Sequence, residues 1–165
     1  IADIGTGTGL LAFAAMDLWR GAYATASDID HVCHQVVEDN AASNAIPMGS
    51  GRAELTMIIA NGLDHPLLSA RGPYDLLIAN ILAGPLIELA PDFAAATKAG
   101  GHVLLAGLLE TQEANVRKAY RAQGFRLASR LVNGDWSILW LRKRRKGSRQ
   151  SGCCSGRLRC WLRSH

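Results

Sequence analysis

Residues 1–9 read Ile1-Ala2-Asp3-Ile4-Gly5-Thr6-Gly7-Thr8-Gly9, and an apolar segment at 10–18 follows them. The start of this stretch predicts the end of a buried strand, and the alternating glycines predict a turn into a helix. Glycine lets a ligand approach the backbone, and the first helical turn offers unpaired N–H groups to a carboxylate or phosphate. Three glycines with an acid two residues before them exceed what a tight turn alone needs. The dinucleotide fingerprint would place its third glycine at Leu10, so the spacing argues against a dehydrogenase.

Strand-like apolar runs alternate with helical patterns along the rest of the chain. This alternation predicts an α/β domain in which a mostly parallel sheet carries helices on both faces. The partial strand at the start and six complete ones give seven, and Asn133-Gly134-Asp135 predicts that the last two form an antiparallel hairpin. The complete strands are predicted at 23–27, 53–60, 74–79, 102–106, 125–132 and 136–141.

Start and stop signals predict four helices. The first ends near Trp19, and the second is capped by Asp30. The third has Pro85 in its first turn and ends at Lys98, and the fourth covers about 111–123.

The charge of the chain is unevenly distributed. Of the 165 residues, 48% are apolar and 19% are charged, which indicates one globular domain and excludes disorder for most of the chain. Residues 1–141 contain 9 basic and 14 acidic side chains, a net charge of −5, whereas 142–165 contain 9 basic side chains and no acid, a net charge of +9. We therefore place the domain at 1–141 and expect a basic, disordered tail at 142–165.

Neither a run of 18 apolar residues nor a signal-peptide pattern is present, so we expect no membrane partner and a cytoplasmic location. Cys33 is alone in the domain, which favours a reducing compartment. The tail contains four residues of zinc-ligand type, Cys153, Cys154, Cys160 and His165. They lack C-x-x-C pairs, so we predict no metal site.

Polar residues follow the next three strands at the edge where the glycine turn lies. Asp28 ends the second strand, and a carboxylate there can accept hydrogen bonds from both hydroxyls of a ribose. Asn61 and Gly62 follow the third strand, where the amide could bind an adenine edge, although an ordinary Asn-Gly turn is equally compatible. Asn80 ends the fourth strand and is expected to face the mouth of the cleft. Together these positions predict a nucleoside site.

Two sets of segments carry a family resemblance. The glycine turn at 3–9 with Asp28-Ile29-Asp30 resembles motif I and the ribose-binding acid of class I S-adenosylmethionine methyltransferases. The segment Asn-Ile-Leu-Ala-Gly-Pro-Leu at 80–86, with segments 107–112 and 124–127, resembles the PrmA family of methyltransferases of large-subunit ribosomal protein eleven. The first motif is shared by very many enzymes, whereas the second is typical of a much smaller group of enzymes. The resemblance covers 1–141 and implies the Rossmann-like seven-stranded methyltransferase sheet.

The resemblance also implies a cofactor, S-adenosyl-L-methionine, and roles for individual residues. Gly5 and its neighbours would hold the methionine end and Asp28 the ribose, while Asn80 would stand at the reaction edge. Ile81 and Leu82 replace the prolines of related Asn-Pro-Pro-Tyr enzymes, and Thr6 replaces a common cysteine. The implied cofactor-binding residues are Asp3, Gly5, Thr6, Gly7, Gly9, Asp28, Ile29, Asn61, Gly62 and Asn80, and the implied catalytic residues are Asn80, Ile81 and Leu82.

The implied activity is methyl transfer to lysine side chains and the N-terminal amine of a large-subunit ribosomal protein. The family's N-terminal recognition domain, linker and Thr-rich segment have no counterpart in this sequence, so we expect a truncated chain that binds the cofactor weakly. One alternative is a methyltransferase that acts on another amine, an amide or a small molecule. A second, outside the enzymes, is a nucleic-acid-binding module in which the cations at 142–146 and beyond neutralise phosphates. We expect no nucleic-acid partner except through this tail.

Overall fold

The computed structural model describes residues 1–145, which form a seven-stranded sheet with helices packed against it. The strands are β1 (Ala2–Ile4), β2 (Ala24–Asp28), β3 (Leu55–Ile59), β4 (Tyr74–Asn80), β5 (Thr97–Leu109), β6 (Phe125–Asn133) and β7 (Trp136–Lys143). The helices are α1 (Leu10–Leu18), α2 (Val32–Ser43), α3 (Pro66–Arg71), α4 (Ala83–Glu88), α5 (Ala90–Ala96) and α6 (Glu113–Ala122), and a 3-10 turn at Glu110–Gln112 precedes α6.

The strand order is β3-β2-β1-β4-β5-β7-β6. The first five strands in this order are parallel, and β7 runs antiparallel to both β5 and β6. The predicted α/β class, the seven strands and the C-terminal hairpin are thereby confirmed. Strand order reverses between β1 and β4, and in sheets of this type ligands bind outside the carboxyl ends of the strands at that point.

Apolar side chains cover both faces of the sheet. Successive residues of β4 point to opposite sides: Leu77 packs in the core formed with α3 to α6, whereas Leu76 and Ile78 pack with Ala15 of α1. A further cluster joins α1 and α2 to β2 and β3 around Phe13. Helices therefore lie on both faces, as the alternating pattern predicted.

The helix predicted to end at Lys98 is instead two helices, α4 and α5, which meet at Leu89. Pro91 at the start of α5 explains the break, because proline has no N–H and its ring clashes with the carbonyl four residues earlier. Helix α5 also ends at Ala96, before the predicted end at Lys98. Thr97 takes an extended backbone in register with Tyr74 of β4, and its hydroxyl donates a hydrogen bond to the carbonyl of Phe93 at 2.6 Å.

Helix α3 was not predicted from the sequence. It begins at Pro66, in the helical position where a missing N–H costs least, and the side chain of His65 accepts a hydrogen bond from the N–H of Leu67. The helix has only six residues, too few for an apolar period to stand out in the sequence.

Strand β7 runs to Lys143, two residues beyond the strand end predicted at Leu141. Residues 146–165 lie outside the described part of the chain, and with them the cysteines of the tail and most of the cations of the nucleic-acid alternative. Within residues 1–145, no helix is long and apolar enough to cross a membrane.

Glu113 is a buried carboxylate that links α6 to the β6–β7 hairpin. It accepts hydrogen bonds from Arg117 at 3.0 Å, from Ser137 at 2.9 Å and from Arg130. Burial alone would raise the pKa of this carboxyl, but the hydrogen bonds from Arg130, Ser137 and Arg117 outweigh burial and lower it.

We expect Glu113→Gln to lower the free energy of unfolding at pH 7 by about 2 kcal/mol, because a neutral amide loses charge-assisted hydrogen bonds. The lowered pKa of Glu113 means that its stabilisation is present above the unfolded pKa near 4.5 and is lost as the pH falls through the folded value. Urea unfolding from pH 3 to 7 measures this. Glu88→Gln, on the exposed side of α4, is the control, and an equal loss in both variants would contradict the role given to Glu113.

Candidate functional site

The predicted site positions lie together at the carboxyl edge of the sheet. The last residue of β1 is in register with the residues that precede Asp28 in β2 and Asn80 in β4. Gly5, Asp28 and Asn80 therefore occupy the same level on three adjacent strands. Asp28 is itself in register with the last residue of β3, and Asn61 follows that residue by two positions. The four strand ends thus converge as the sequence pattern predicted.

The turn after β1 depends on its glycines. Gly5, Gly7 and Gly9 have φ values of +73°, +56° and +85°, in the left-handed region that favours glycine. The N–H groups of Gly5 and Thr6 donate hydrogen bonds to the carbonyl of Ser27 at 2.8 and 2.9 Å, which fix the turn against β2. A Cβ placed on Gly7 would meet no atom within 4 Å, so open space adjoins the backbone there. A ligand therefore has room to lie against this turn.

Asp28 is held beside the turn by its own hydrogen bonds. One carboxylate oxygen accepts from the N–H of Gly7 at 2.8 Å and the other from the N–H of Asp30 at 3.0 Å. An ionised carboxylate has about four acceptor sites, so roughly two remain for further donors such as the two hydroxyls of a ribose. The N-cap residue of α2 is His31 rather than the predicted Asp30, although the side chain of Asp30 accepts a hydrogen bond from the N–H of Val32 at 2.9 Å at the start of the helix.

Asp3 and Thr6 are buried beneath the turn. The hydroxyl of Thr6 donates to Oδ2 of Asp3 at 2.7 Å, while Oδ1 of Asp3 has no hydrogen-bond partner among residues 1–145. Burial raises the pKa of Asp3 to about 6, although the hydrogen bond from Thr6 acts in the opposite direction. The pair supports the turn from inside the domain, and Thr6 supplies the hydrogen-bond donor.

The raised pKa of Asp3 predicts a specific pH dependence of stability. Because the folded state holds the proton up to about pH 6 and the unfolded state releases it near 3.8, stability falls as the pH rises between these values, by roughly 3 kcal/mol. We expect Asp3→Asn to abolish this slope. Chemical unfolding from pH 4 to 7 measures it, with the exposed Asp135→Asn as the control. Identical slopes in wild type and Asp3→Asn would contradict the assignment.

Asn61 and Gly62 form a tight turn after β3. The N–H of Asp64 donates to the carbonyl of Asn61 at 3.1 Å, and Gly62 has φ +59°. The side chain of Asn61 is exposed. The ordinary turn considered for this pair is present, and it leaves the amide of Asn61 accessible at the edge, so a contact with adenine stays a prediction.

Asn80, Ile81 and Leu82 lead from β4 into α4. Asn80 is exposed at the end of its strand, Ile81 is half-buried against the core, and Leu82 is exposed immediately before the helix. Neither lysine nor arginine occurs between Arg71 and Lys98 in the sequence. The segment around Asn80 therefore contains no basic side chain that would compete for its amide oxygen. This oxygen can accept a hydrogen bond from a neutral N–H donor.

One contact at this site was missed from the sequence. Gly107 of β5 lies directly against Asn80 and Ile81, so closely that a Cβ on Gly107 would be 2.8 Å from Oδ1 of Asn80. Gly107 begins segment 107–112 of the family resemblance, and it follows an apolar strand-like run, but a glycine there is also typical of a bulge or a bend and does not indicate a contact with Asn80.

A cavity lies at the opposite edge of the sheet, near the amino ends of the parallel strands. It has a volume of about 900 Å³, and Ile1, Tyr23, Arg71, Tyr74 and Trp140 are among the residues that line it. None of the predicted site residues lines this cavity. Within residues 1–145, no group of three or more His, Cys, Asp or Glu side chains is placed to hold a metal ion. The candidate site therefore rests on the glycine turn, Asp28 and Asn80.

Comparison with known proteins gives a consistent family. The family model of PrmA, ribosomal protein L11 methyltransferase, matches residues 1–144. A ribosomal protein L11 methyltransferase from Caulobacter sp. (strain K31) is 41% identical over 143 residues, which cover 87% of this chain and 47% of the relative. One from Rhizobium meliloti (strain 1021) is 40% identical over 139 residues, 84% of this chain and 46% of the relative. The chain thus spans about half the length of these curated relatives.

Solved structures agree with the sequence relatives. The crystal structure of ribosomal protein L11 methylase from Lactobacillus delbrueckii subsp. bulgaricus has a TM-score of 0.73 and 31% identity, and the match covers 86% of this chain and 69% of that one. TrmK of M. capricolum, solved with S-adenosyl-homocysteine, shares the fold with a TM-score of 0.67 at 15% identity, over 87% of this chain and 62% of that one. The glycine turn, the carboxylate of Asp28 and the segment that begins at Asn80 lie at one edge of the sheet. Together with the matches above, they show that the chain belongs to the PrmA family of ribosomal protein L11 methyltransferases.

Proposed function

We propose that this chain is the catalytic part of an enzyme that transfers methyl groups from S-adenosyl-L-methionine to amino groups of ribosomal protein L11, on lysine side chains and at the N-terminus. The observation that carries the proposal is the carboxylate of Asp28, fixed beside the open glycine turn on the strand next to β1, with Asn80 at the same level on the other side. The names of the relatives support the choice of substrate.

The residues at the edge fit the proposed cofactor. The remaining acceptor sites of Asp28 suit the ribose hydroxyls, and the N–H groups that begin α1 suit the carboxylate of the methionine end. Ile29 is 66% exposed beside Asp28 and offers an apolar surface to the adenine ring. The S-adenosyl-homocysteine bound to the structurally similar TrmK supports the same cofactor class. S-adenosyl-L-methionine would supply a methyl group on a sulfonium centre, which a positioned amine can attack in line.

The substrate amine must be neutral to react. A lysine with a pKa of about 10.4 requires roughly 4 to 5 kcal/mol to lose its proton at pH 7, whereas an α-amine with a pKa near 8 requires only about 1 kcal/mol. The apolar neighbours Ile81 and Leu82 favour the uncharged form of a lysine by reducing its hydration. We therefore propose that the lysine substrates depend more on this apolar surface than the N-terminal amine does.

Asn80 is proposed to orient the neutral amine. Its side-chain oxygen can accept an N–H hydrogen bond from the substrate, which would orient the nitrogen lone pair for in-line attack on the methyl group. An amide is suited to this step because it remains neutral and does not favour the protonated amine as a carboxylate would. No covalent nucleophile is needed from the chain, since in-line transfer requires mainly alignment.

The test of the substrate uses a fusion protein in which the N-terminal half of the Caulobacter sp. relative precedes Ile1. Mass spectrometry of L11 from the same organism, after incubation with S-adenosyl-L-methionine, should show added methyl groups on lysines and on the N-terminal amine. Cofactor binding without any methylation of L11 would contradict the substrate and favour another amine, an amide or a small molecule.

A further inference from the structure

We propose that Gly107 of β5 is a positioning residue for Asn80, because it leaves the space in which residues 80 and 81 lie. The inference rests on the proposed role of Asn80 at the reaction edge. Gly107 has no side chain to contact a ligand and would act through its closeness to Asn80 and to the backbone of Ile81.

The contact on the β5 side involves backbone atoms. Asn80 is in register with Ala106 of β5, and Gly107 follows. A Cβ on Gly107 would lie 2.7 Å from the carbonyl oxygen of Ile81, 2.8 Å from Oδ1 of Asn80 and 3.0 Å from the backbone nitrogen of Ile81. Carbon atoms do not approach oxygen or nitrogen so closely without a shift. Because two of the three atoms belong to the main chain of Ile81, relief of the contact would displace the segment after β4 relative to β5.

The backbone of Gly107 is also unusual. Its φ is +76°, and the register between β5 and β7 shifts between Leu105 and Leu108. Bulges of this kind bend a strand locally and are over-represented next to active sites. Glycine is suited to this position for two separate reasons, since another residue would have both a strained backbone and a Cβ against Ile81.

A second glycine approaches Ile81 from the other neighbouring strand. A Cβ on Gly5, which follows β1, would lie 2.4 Å from Cγ2 of Ile81. Ile81 therefore has its side chain against Gly5 and its backbone against Gly107, on the two strands that flank β4. The side chain of Asn80 is exposed at the end of β4, where the path of the backbone places it. The position of the Asn80 amide therefore depends on the backbone that these glycines accommodate.

The first test compares Gly107→Ala with Gly124→Ala in the 165-residue chain. Gly124 has φ +88° and no atom within 4 Å of an added Cβ, so its variant has the backbone strain without the contact. We expect the side-chain amide signals of Asn80 in a ¹H–¹⁵N spectrum, assigned with Asn80→Ala, to move in Gly107→Ala and to stay unchanged in Gly124→Ala. Unchanged Asn80 signals in a folded Gly107→Ala would overturn the proposal.

The second test measures turnover in the fusion protein with the Caulobacter sp. N-terminal half. A displacement of about 1 Å at a reacting group can reduce the rate about 100-fold, so we expect kcat of Gly107→Ala to fall by about that factor while KM for S-adenosyl-L-methionine stays within about twofold. Equal kcat values for the Gly107 and Gly124 variants would overturn the proposal. Absence of cofactor binding by the wild-type proteins would instead contradict the proposed function.

A variant that fails to fold does not end the test. Asparagine tolerates the left-handed backbone better than alanine but has the same Cβ, so Gly107→Asn with Gly124→Asn as its control repeats both measurements with less backbone strain. We expect the same displacement of the Asn80 signals in Gly107→Asn. Wild-type signals and wild-type kcat in this variant would overturn the proposal.

Discussion

Replacement of Asp28 by alanine is expected to weaken the binding of S-adenosyl-L-methionine about 100-fold or more. Two hydrogen bonds from ribose hydroxyls to a charged acceptor contribute about 1.5 to 3 kcal/mol each, and each 1.4 kcal/mol changes the dissociation constant tenfold. The substitution also removes the acceptor for the N–H of Gly7, which loosens the turn against which the cofactor would lie. Both effects weaken binding, so among the substitutions proposed here Asp28→Ala should cause the largest increase in the Kd for S-adenosyl-L-methionine.

Isothermal titration calorimetry of the 165-residue chain and of the fusion protein measures this effect. Asp75→Ala is the matched control, because Asp75 is an exposed carboxylate near the amino end of β4, at the opposite edge of the sheet. Circular dichroism of both variants separates a lost contact from a lost fold. An Asp28→Ala protein that is folded and binds as tightly as Asp75→Ala would contradict the assignment of the ribose site.

Replacement of Asn80 by alanine is expected to lower turnover about 100-fold while the Kd for the cofactor changes by about threefold or less. Loss of one preorganised hydrogen-bonding group at a reacting centre typically reduces kcat by about 10² to 10³. Asp28 and the glycine turn, which are proposed to hold most of the cofactor, are untouched by the change. The expected signature is therefore a fall in kcat without a matching loss of binding.

The measurement requires the fusion protein, with methylation of L11 followed over time and cofactor binding measured separately. Asn44→Ala at the end of α2 is the control, since its side chain caps a helix away from the sheet edge and donates to the carbonyl of Asn40. Turnover by Asn80→Ala equal to that of Asn44→Ala would remove Asn80 from the mechanism. A parallel loss of binding and turnover would make it a cofactor-binding residue only.

The parts of the site that could be predicted are those encoded by local sequence. The glycine turn, Asp28 and Asn80 each follow an apolar run, and parallel strands place their carboxyl ends at one edge, so their convergence follows from the α/β pattern alone. The hairpin at Gly134 was equally local, because its turn residues fix a positive φ. The segment that begins at Asn80 indicated the PrmA family in particular, and not only class I methyltransferases in general.

The parts that could not be predicted depend on contacts between distant segments. The extension of β5 back to Thr97 requires Tyr74 as its partner, and the closeness of Gly107 to Ile81 arises only when β4 and β5 pair. The division between α4 and α5 could have been predicted from the sequence, because Pro91 disfavours a continuous helix. The apolar pattern on both sides of Pro91 indicated a single helix instead. The burial of Asp3, and with it the raised pKa, also requires the packed sheet.

The most direct test of the account is a calorimetric titration of the wild-type chain, and of the fusion protein, with S-adenosyl-L-methionine and S-adenosyl-homocysteine. We expect saturable one-to-one binding, weak in the chain and tighter in the fusion, that is lost in Asp28→Ala and retained in Asn80→Ala. Binding by neither protein, with both shown to be folded, would contradict the claim that this edge of the sheet is a cofactor site.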